Sequence, residues 1–219
     1  MHRSLLCMGI GWGAAALAHA TVLVESRFDS GHEGWVAGNG VAVQGGQATG
    51  GNPGGYFFAA DRGQGTVWVY QAPASFLGDL TAALDGTLSF DLRVSRTDFP
   101  MANDWGDVKF GGSGIELVTG ACPGPGLSWT HYTVTLSPGA WHIGNMLGPV
   151  ATAADFATVF ANVEFLRIRG EFSALLDHGG LDNVVLAAIP EPHAAWLMVA
   201  GGIVLAGWSW RRTPRRPDA

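Results

Sequence analysis

Along most of its length the chain sets short apolar–polar runs between clusters of glycine, proline and aspartate. Leu88-Ser89-Phe90-Asp91-Leu92-Arg93-Val94 alternates without a break, and so does Tyr132-Thr133-Val134-Thr135-Leu136. A period of two sends successive side chains to opposite faces, so each run predicts a strand with one buried and one wet face. The same reading predicts strands at Thr21–Phe28, Tyr56–Ala60, Thr66–Gln71, Thr87–Val94, Ile115–Thr119, His131–Leu136, Phe165–Phe172 and Val184–Ala188. Helical spacing is found at Thr152–Phe160, where Phe156, Val159 and Phe160 share a side and Thr152 or Ala153 precedes the first turn. Short strands punctuated by turn residues, with one short helix, predict an all-β antiparallel sandwich.

Both ends break this pattern. Residues 1–20, MHRSLLCMGIGWGAAALAHA, carry one arginine, an apolar run and Ala18-His19-Ala20. That order describes a helical secretory signal peptide with its cut after Ala20. At the other end Ala194–Trp210 is an uncharged run of 17 residues. As a transmembrane helix it would reach roughly 26 Å, just short of a hydrocarbon core of about 30 Å. Trp196, Trp208 and Trp210 suit the headgroup level, and Arg211, Arg212, Arg215 and Arg216 would hold the C-terminus in the cytoplasm. Pro190 and Pro192 keep such a helix from running back into the folded part. One domain is left between the ends, residues 21–189.

Composition narrows the class. With 33 glycines in 219 residues and 14% charged, the chain suits a compact β-rich domain with many turns rather than a disordered one. Between Thr21 and Ile189 seven basic residues face sixteen acidic ones, a net charge of −9. Such a body lacks the basic footprint that nucleic acid needs. Cys7 leaves with the signal, so Cys122 is alone in the mature chain and forms no internal disulfide. It is a small buried hydrophobe or a reactive thiol.

The C-terminal pattern resembles a PEP-CTERM sorting signal over residues 190–216. Pro190-Glu191-Pro192, the apolar span and Arg211-Arg212 occur in that order. The resemblance implies recognition by an exosortase and cleavage near the motif after an intermediate anchored in the inner membrane. It also implies delivery to the cell surface or extracellular matrix of a Gram-negative bacterium that makes exopolysaccharide.

The body resembles the laminin B (laminin IV type A) domain. The matching residues include Gly51-Asn52-Pro53-Gly54-Gly55-Tyr56, Trp68, Pro73–Leu80, Gly86–Leu92, Gly114–Leu117, Trp129–Leu136, Trp141, Ala161–Phe172 and Gly180–Leu186. Arg96–Phe110 follows no pattern of that family. The resemblance implies an extracellular jelly-roll β-sandwich, similar to carbohydrate-binding modules, without catalytic residues. It places Trp68, Trp129 and Trp141 in the core. It also brings the first and last strands together, so that Asp29 and Asp182 become candidate ligands of a structural calcium, which takes six to eight oxygens. The alternative is that Asp182-Asn183 turns the chain and Asp29 caps a strand.

Asp98-Phe99-Pro100-Met101-Ala102-Asn103-Asp104-Trp105-Gly106-Asp107 gathers acids and aromatics in one loop. Trp105 stacked on a sugar ring, with Asp98, Asp104 and Asp107 taking its hydroxyls, would make a ligand site. The plainer reading is a hairpin tip with Trp105 folded onto the sheet. Enzyme signals are thin: H-E-x-x-H, G-x-S-x-G, a Gly-rich phosphate loop and a zinc-binding cysteine pair do not occur. The expectation is therefore a non-catalytic surface or matrix protein for adhesion or glycan binding, with an exopolysaccharide or matrix glycan as partner. Two alternatives stay open, a glycan-active hydrolase on the same scaffold and a purely structural matrix component.

Overall fold

The computed structural model describes residues 20–38, 40–63, 67–120 and 123–189. The expected signal peptide (Ala20 apart), Cys122 and the sorting segment from Pro190 onward lie outside them. Among the described residues no helix is long and apolar enough to cross a membrane.

In chain order the elements are β1 (Thr21–Ser26), β2 (Val36–Gly38), β3 (Val41–Gln47), β4 (Tyr56–Asp61), β5 (Val69–Gln71), β6 (Thr87–Val94), β7 (Val108–Gly112), β8 (Ile115–Thr119), β9 (Thr130–Thr135), β10 (His142–Ile143), α1 (Ala153–Phe160), β11 (Phe165–Arg169) and β12 (His178–Ala188). One sheet runs β3-β4-β12-β6-β9, with β1 also on β12, and the other runs β10-β8-β7-β11-β5-β2. All the pairings are antiparallel. The described residues form an all-β sandwich with one α-helix, as the alternation predicts.

The aromatic side chains explain why the sheets close on each other. Phe28 stacks on Phe57 at 6.1 Å, Trp35 meets Phe76 edge-on at 5.3 Å, and Trp68 meets Tyr70 at 5.0 Å. Elsewhere in the core Phe110 lies 5.0 Å from Phe160, and Trp141 meets Phe156 edge-on at 5.7 Å. Each fully buried ring removes a large apolar area from water and gains about 0.5–1.5 kcal/mol more from its edge or stacking contact. Helix α1 turns Phe156, Val159 and Phe160 into this core. Its start is fixed by a reciprocal cap, in which Thr152 Oγ1 accepts from the Asp155 amide and Asp155 accepts from the Thr152 amide.

Several elements escape the sequence reading. Strand β3 is an edge strand with little buried surface, so it shows no alternation. Strand β7 is buried throughout and ends in two glycines, which hides it as well. Strand β12 begins at His178, six residues before the expected Val184, because Gly179-Gly180 reads as a turn. Its first half pairs with β4 and its second half with β1, on the same edge. The change of neighbour falls at Asp182-Asn183, where the register against β6 shifts and Asn183 takes a φ of +48°. This is a correction: the chain bulges at Asp182-Asn183 and does not turn there.

Candidate functional site

The acidic loop before β7 is fastened to its own scaffold. Asp98 is exposed and clasped by Arg96, whose Nε and Nη2 each stand 2.7 Å from a carboxylate oxygen. Hydrogen bonding to that guanidinium holds the Asp98 carboxyl below its ordinary range. Asp104 is exposed, and its carbonyl accepts the Met146 amide at 3.0 Å. Trp105 is half-buried with the Lys109 ammonium 4.0 Å from its ring centroid. Asp107 is only 1% exposed, accepts from Asn103 Nδ2 at 2.9 Å and pairs with buried Arg169 at 3.5 Å. The sequence placed Asp107 in a solvated tip; in the structure Arg169 draws it inward, and the four residues serve separate partners.

Asp29, in the segment after β1, and Asp182, on β12, both hold the Gly51–Gly55 loop. Asp182 Oδ2 accepts the Asn52 amide at 2.6 Å and its Oδ1 accepts the Asn183 amide at 2.7 Å, while Asp29 Oδ1 accepts the Gly55 amide at 3.2 Å. Glycine at 54 makes the approach feasible, since a Cβ there would stand 2.2 Å from Asp29 Oδ1 and φ is +85°. Asp91 completes the cluster, 2.6 Å from His131 Nδ1 and accepting from Asn52 Nδ2 and Asn183 Nδ2. Both predicted carboxylates thus use oxygens to hold a loop. Burial pushes the Asp182 carboxyl up to about 6, against the pull of the Asn52 and Asn183 amides, and Asp91 and Asp29 add to the rise. An unfolded aspartate titrates near ~3.9, so between about pH 4 and pH 6 the folded chain holds more proton than the unfolded one. Stability from this group therefore falls as pH rises through that window. A carbon-13 titration of the Asp182 carboxyl in calcium-free buffer should give a midpoint near 6. A midpoint at the ordinary value would mean that the amides outweigh burial.

A third constellation was not read from the sequence. Strand β4 alternates, burying Phe57 and Ala59 and leaving Tyr56 and Phe58 on the outer face of its sheet. Arg93 of β6 and Trp129, just before β9, lie beside them. The Arg93 guanidinium stands 4.4 Å from the Tyr56 ring centroid and 4.7 Å from that of Trp129, and the two rings meet edge-on at 5.5 Å. Such contacts are attractive because the ring faces carry negative charge density. Trp129 is half-buried and donates Nε1–H to the Gly50 carbonyl at 3.0 Å, so the core position expected for it is corrected. Trp68 and Trp141 are buried as expected. Gly180 of β12 lies beneath the rings, where a Cβ would come within 2.7 Å of Trp129 and 2.9 Å of Tyr56. Next to them a hollow of about 350 Å³ is lined by Tyr56, Phe58, Arg93, Leu127 and His178. The signal for this face was the phase of the alternation in β4 and β6, which puts Tyr56, Phe58 and Arg93 on the outward sides of their strands.

Comparison with known families matches laminin B (domain IV) to residues 69–196. The chain belongs to that family. Its laminin B region carries Arg93, Trp129 and His178, and starts well after Phe28, where the resemblance in the sequence began. Among solved structures, the L4b domain of human laminin alpha-2 is similar at 12% identity over 55% of this chain and 70% of that one, with a TM-score of 0.49. The family 11 carbohydrate-binding module of the cellulosomal cellulase Lic26A-Cel5E of Clostridium thermocellum shows 15% identity over 81% of this chain and 100% of its own, also at 0.49. The CBM22-1–GH10 modules of Clostridium thermocellum Xyn10B, complexed with xylohexaose, show 10% identity over 80% and 30% at a TM-score of 0.37. No curated protein matches the chain.

Proposed function

We propose that the laminin B sandwich is a non-catalytic glycan-binding module of an exported protein, and that it binds with the Tyr56–Arg93–Trp129 face. One observation carries this reading: two half-exposed aromatic rings that meet edge-on, with a guanidinium packed against both, on the outer side of a sheet over Gly180. An aromatic face matches the C–H face of a pyranose, while Arg93 and His178 supply hydrogen bonds to hydroxyls at its edge. A neutral or acidic polysaccharide of the cell's own matrix fits the chemistry, since half-buried Arg93 offers this face a cation on an otherwise acidic body. The signal-like N-terminus and the Pro190-Glu191-Pro192 segment with Arg211-Arg212 support export, an inner-membrane intermediate and exosortase processing to the surface. Intact mass of protein recovered from the envelope tests that part; retention of Trp208 and the arginines would leave a simple anchor instead.

The binding face is tested by a glycan array followed by titration of the best acceptor. Trp129→Ala should weaken binding by about 30-fold, the effect of losing roughly 2 kcal/mol at a hot spot. It should cost stability about 2–3 kcal/mol for the lost hydrogen bond, edge contact and cation–π contact, and leave the sandwich folded. Trp105→Ala is the comparison: binding lost there and kept in Trp129→Ala would move the site to the acidic loop and overturn the proposed face.

A further inference from the structure

Three carboxylates meet inside the sandwich, at the junction of β4, β5 and β12, on the inner side of the sheet whose outer side carries the face described above. Asp61 ends β4 with the inward parity of Phe57 and Ala59, and Glu171 and Asp177 lie on the connection from β11 to β12. Backbone bonds fasten Asp61 to Asp177 and the Glu171 segment to Trp68. The Asp61 amide donates to the Asp177 carbonyl at 3.1 Å, and the Gly170 and Glu171 amides donate to the Trp68 carbonyl at 3.0 and 3.3 Å. One oxygen from each carboxylate lies within 4.8 Å of the others. Asp61 is 9% exposed, Glu171 1% and Asp177 6%.

This trio has too little protein around it to satisfy it. Both oxygens of Glu171, both of Asp177 and Oδ2 of Asp61 lack a hydrogen-bond partner, while Asp61 Oδ1 accepts the Gly63 amide. None of the three forms an ion pair among the described residues. Further groups act on the trio without closing a regular hydrogen bond or ion pair, among them the Arg169 guanidinium on Glu171 and the Phe172 amide and Arg96 guanidinium on Asp177. The Trp68 indole N–H acts on Glu171 and Asp177, and the Tyr70 hydroxyl is held near Asp177; both residues are essentially fully buried. Buried charge of one sign persists only when it is paired, protonated or bound to metal.

We infer that Asp61, Glu171 and Asp177 form a calcium site that ties the end of β4 to the β11–β12 connection. Calcium binds oxygen at about 2.3–2.6 Å, so oxygens on opposite sides of the ion stand up to about 5 Å apart and all three carboxylates fit one coordination sphere. An all-oxygen, carboxylate-rich and buried donor set favours calcium over magnesium, which gives up its waters reluctantly. The site is distinct from Asp29 and Asp182, whose oxygens hold the Gly51–Gly55 loop, and it is independent of the glycan-binding reading.

The experiment uses the full chain and calcium chloride alone. After chelation, the melting temperature should rise with the logarithm of calcium concentration, because only the folded state holds the site. Isothermal titration should count one ion per chain. Glu171→Gln/Asp177→Asn removes two buried charges. It should melt higher than the wild type in chelator and should no longer respond to calcium. Asp182→Asn should keep the response. A wild type indifferent to calcium would show that protons neutralise the trio and would overturn the site. So would a calcium response lost in Asp182→Asn and kept in the double variant. Should the double variant fail to fold, terbium luminescence excited through tryptophan gives a second readout. Emission should appear on wild type, fall strongly in Trp68→Phe and vanish with excess calcium; emission unaltered in Trp68→Phe would place the ion elsewhere.

Discussion

Replacing Arg169 by methionine should destabilise the domain by about 3–5 kcal/mol, the usual cost of orphaning a buried charge. Arg169 is 3% exposed, and its guanidinium is shared among many acceptors. Nη1 donates to Asn103 Oδ1 at 2.9 Å and pairs with Asp107 at 3.5 Å, while Nη2 reaches the Ala102 carbonyl at 3.3 Å and Nε the Glu171 carbonyl. Methionine matches the stem but leaves Asp107 charged and the loop carbonyls unserved. Urea unfolding should show a lower midpoint at unchanged slope. Adding Asp107→Asn to Arg169→Met should recover part of the loss, because the uncompensated charge goes too. Asp98→Ala, which breaks the exposed pair with Arg96, should hardly move the midpoint. A loss below about 1 kcal/mol for Arg169→Met would mean that water replaces the guanidinium and that the loop is not anchored by it.

Gly170→Ala is expected to destabilise by about 3 kcal/mol, at the upper end for overpacking, although it adds a single methyl group. A Cβ at 170 would stand 2.0 Å from Cζ3 of Trp68 and 2.2 Å from its Cε3. The ring has nowhere to retreat. Trp68 is fully buried, Tyr70 meets it edge-on at 5.0 Å, and Gly179 lies against its Cη2. Displacing Trp68 would also disturb the acidic trio, so the calcium response should weaken along with the melting temperature. Gly45→Ala is the control, since nothing lies within 4 Å of its would-be Cβ. That change should be neutral or slightly stabilising through lower chain entropy. Equal melting temperatures for the two variants would show that the Trp68 pocket relaxes freely.

Much of the architecture follows from the sequence by itself. A strand buried on one face must alternate, which is why β4, β6 and β9 are legible, and a helix packing one side must repeat at 3.6, which marks α1. The family could be read as well, because glycine-, aromatic- and aspartate-bearing blocks keep their order along the chain. Strands without one wet face could not be read. Strand β7 is buried throughout and β3 is mostly exposed, so neither carries a period. Sites formed by distant residues were hidden for a different reason. Local sequence shows that Trp105 has acidic neighbours but not that Arg169, 62 residues beyond Asp107, turns Asp107 inward. Nor does it show that β4 and β6 flank β12, which lays Tyr56 and Arg93 against Trp129 over a glycine. Parity in a strand assigns a side chain to a face, whereas register between strands assigns it a neighbour. Asp61, Glu171 and Asp177 were three among sixteen acids in the sequence, and only the pairing of β4 with β12, with the Glu171 segment held on Trp68, makes them one cluster.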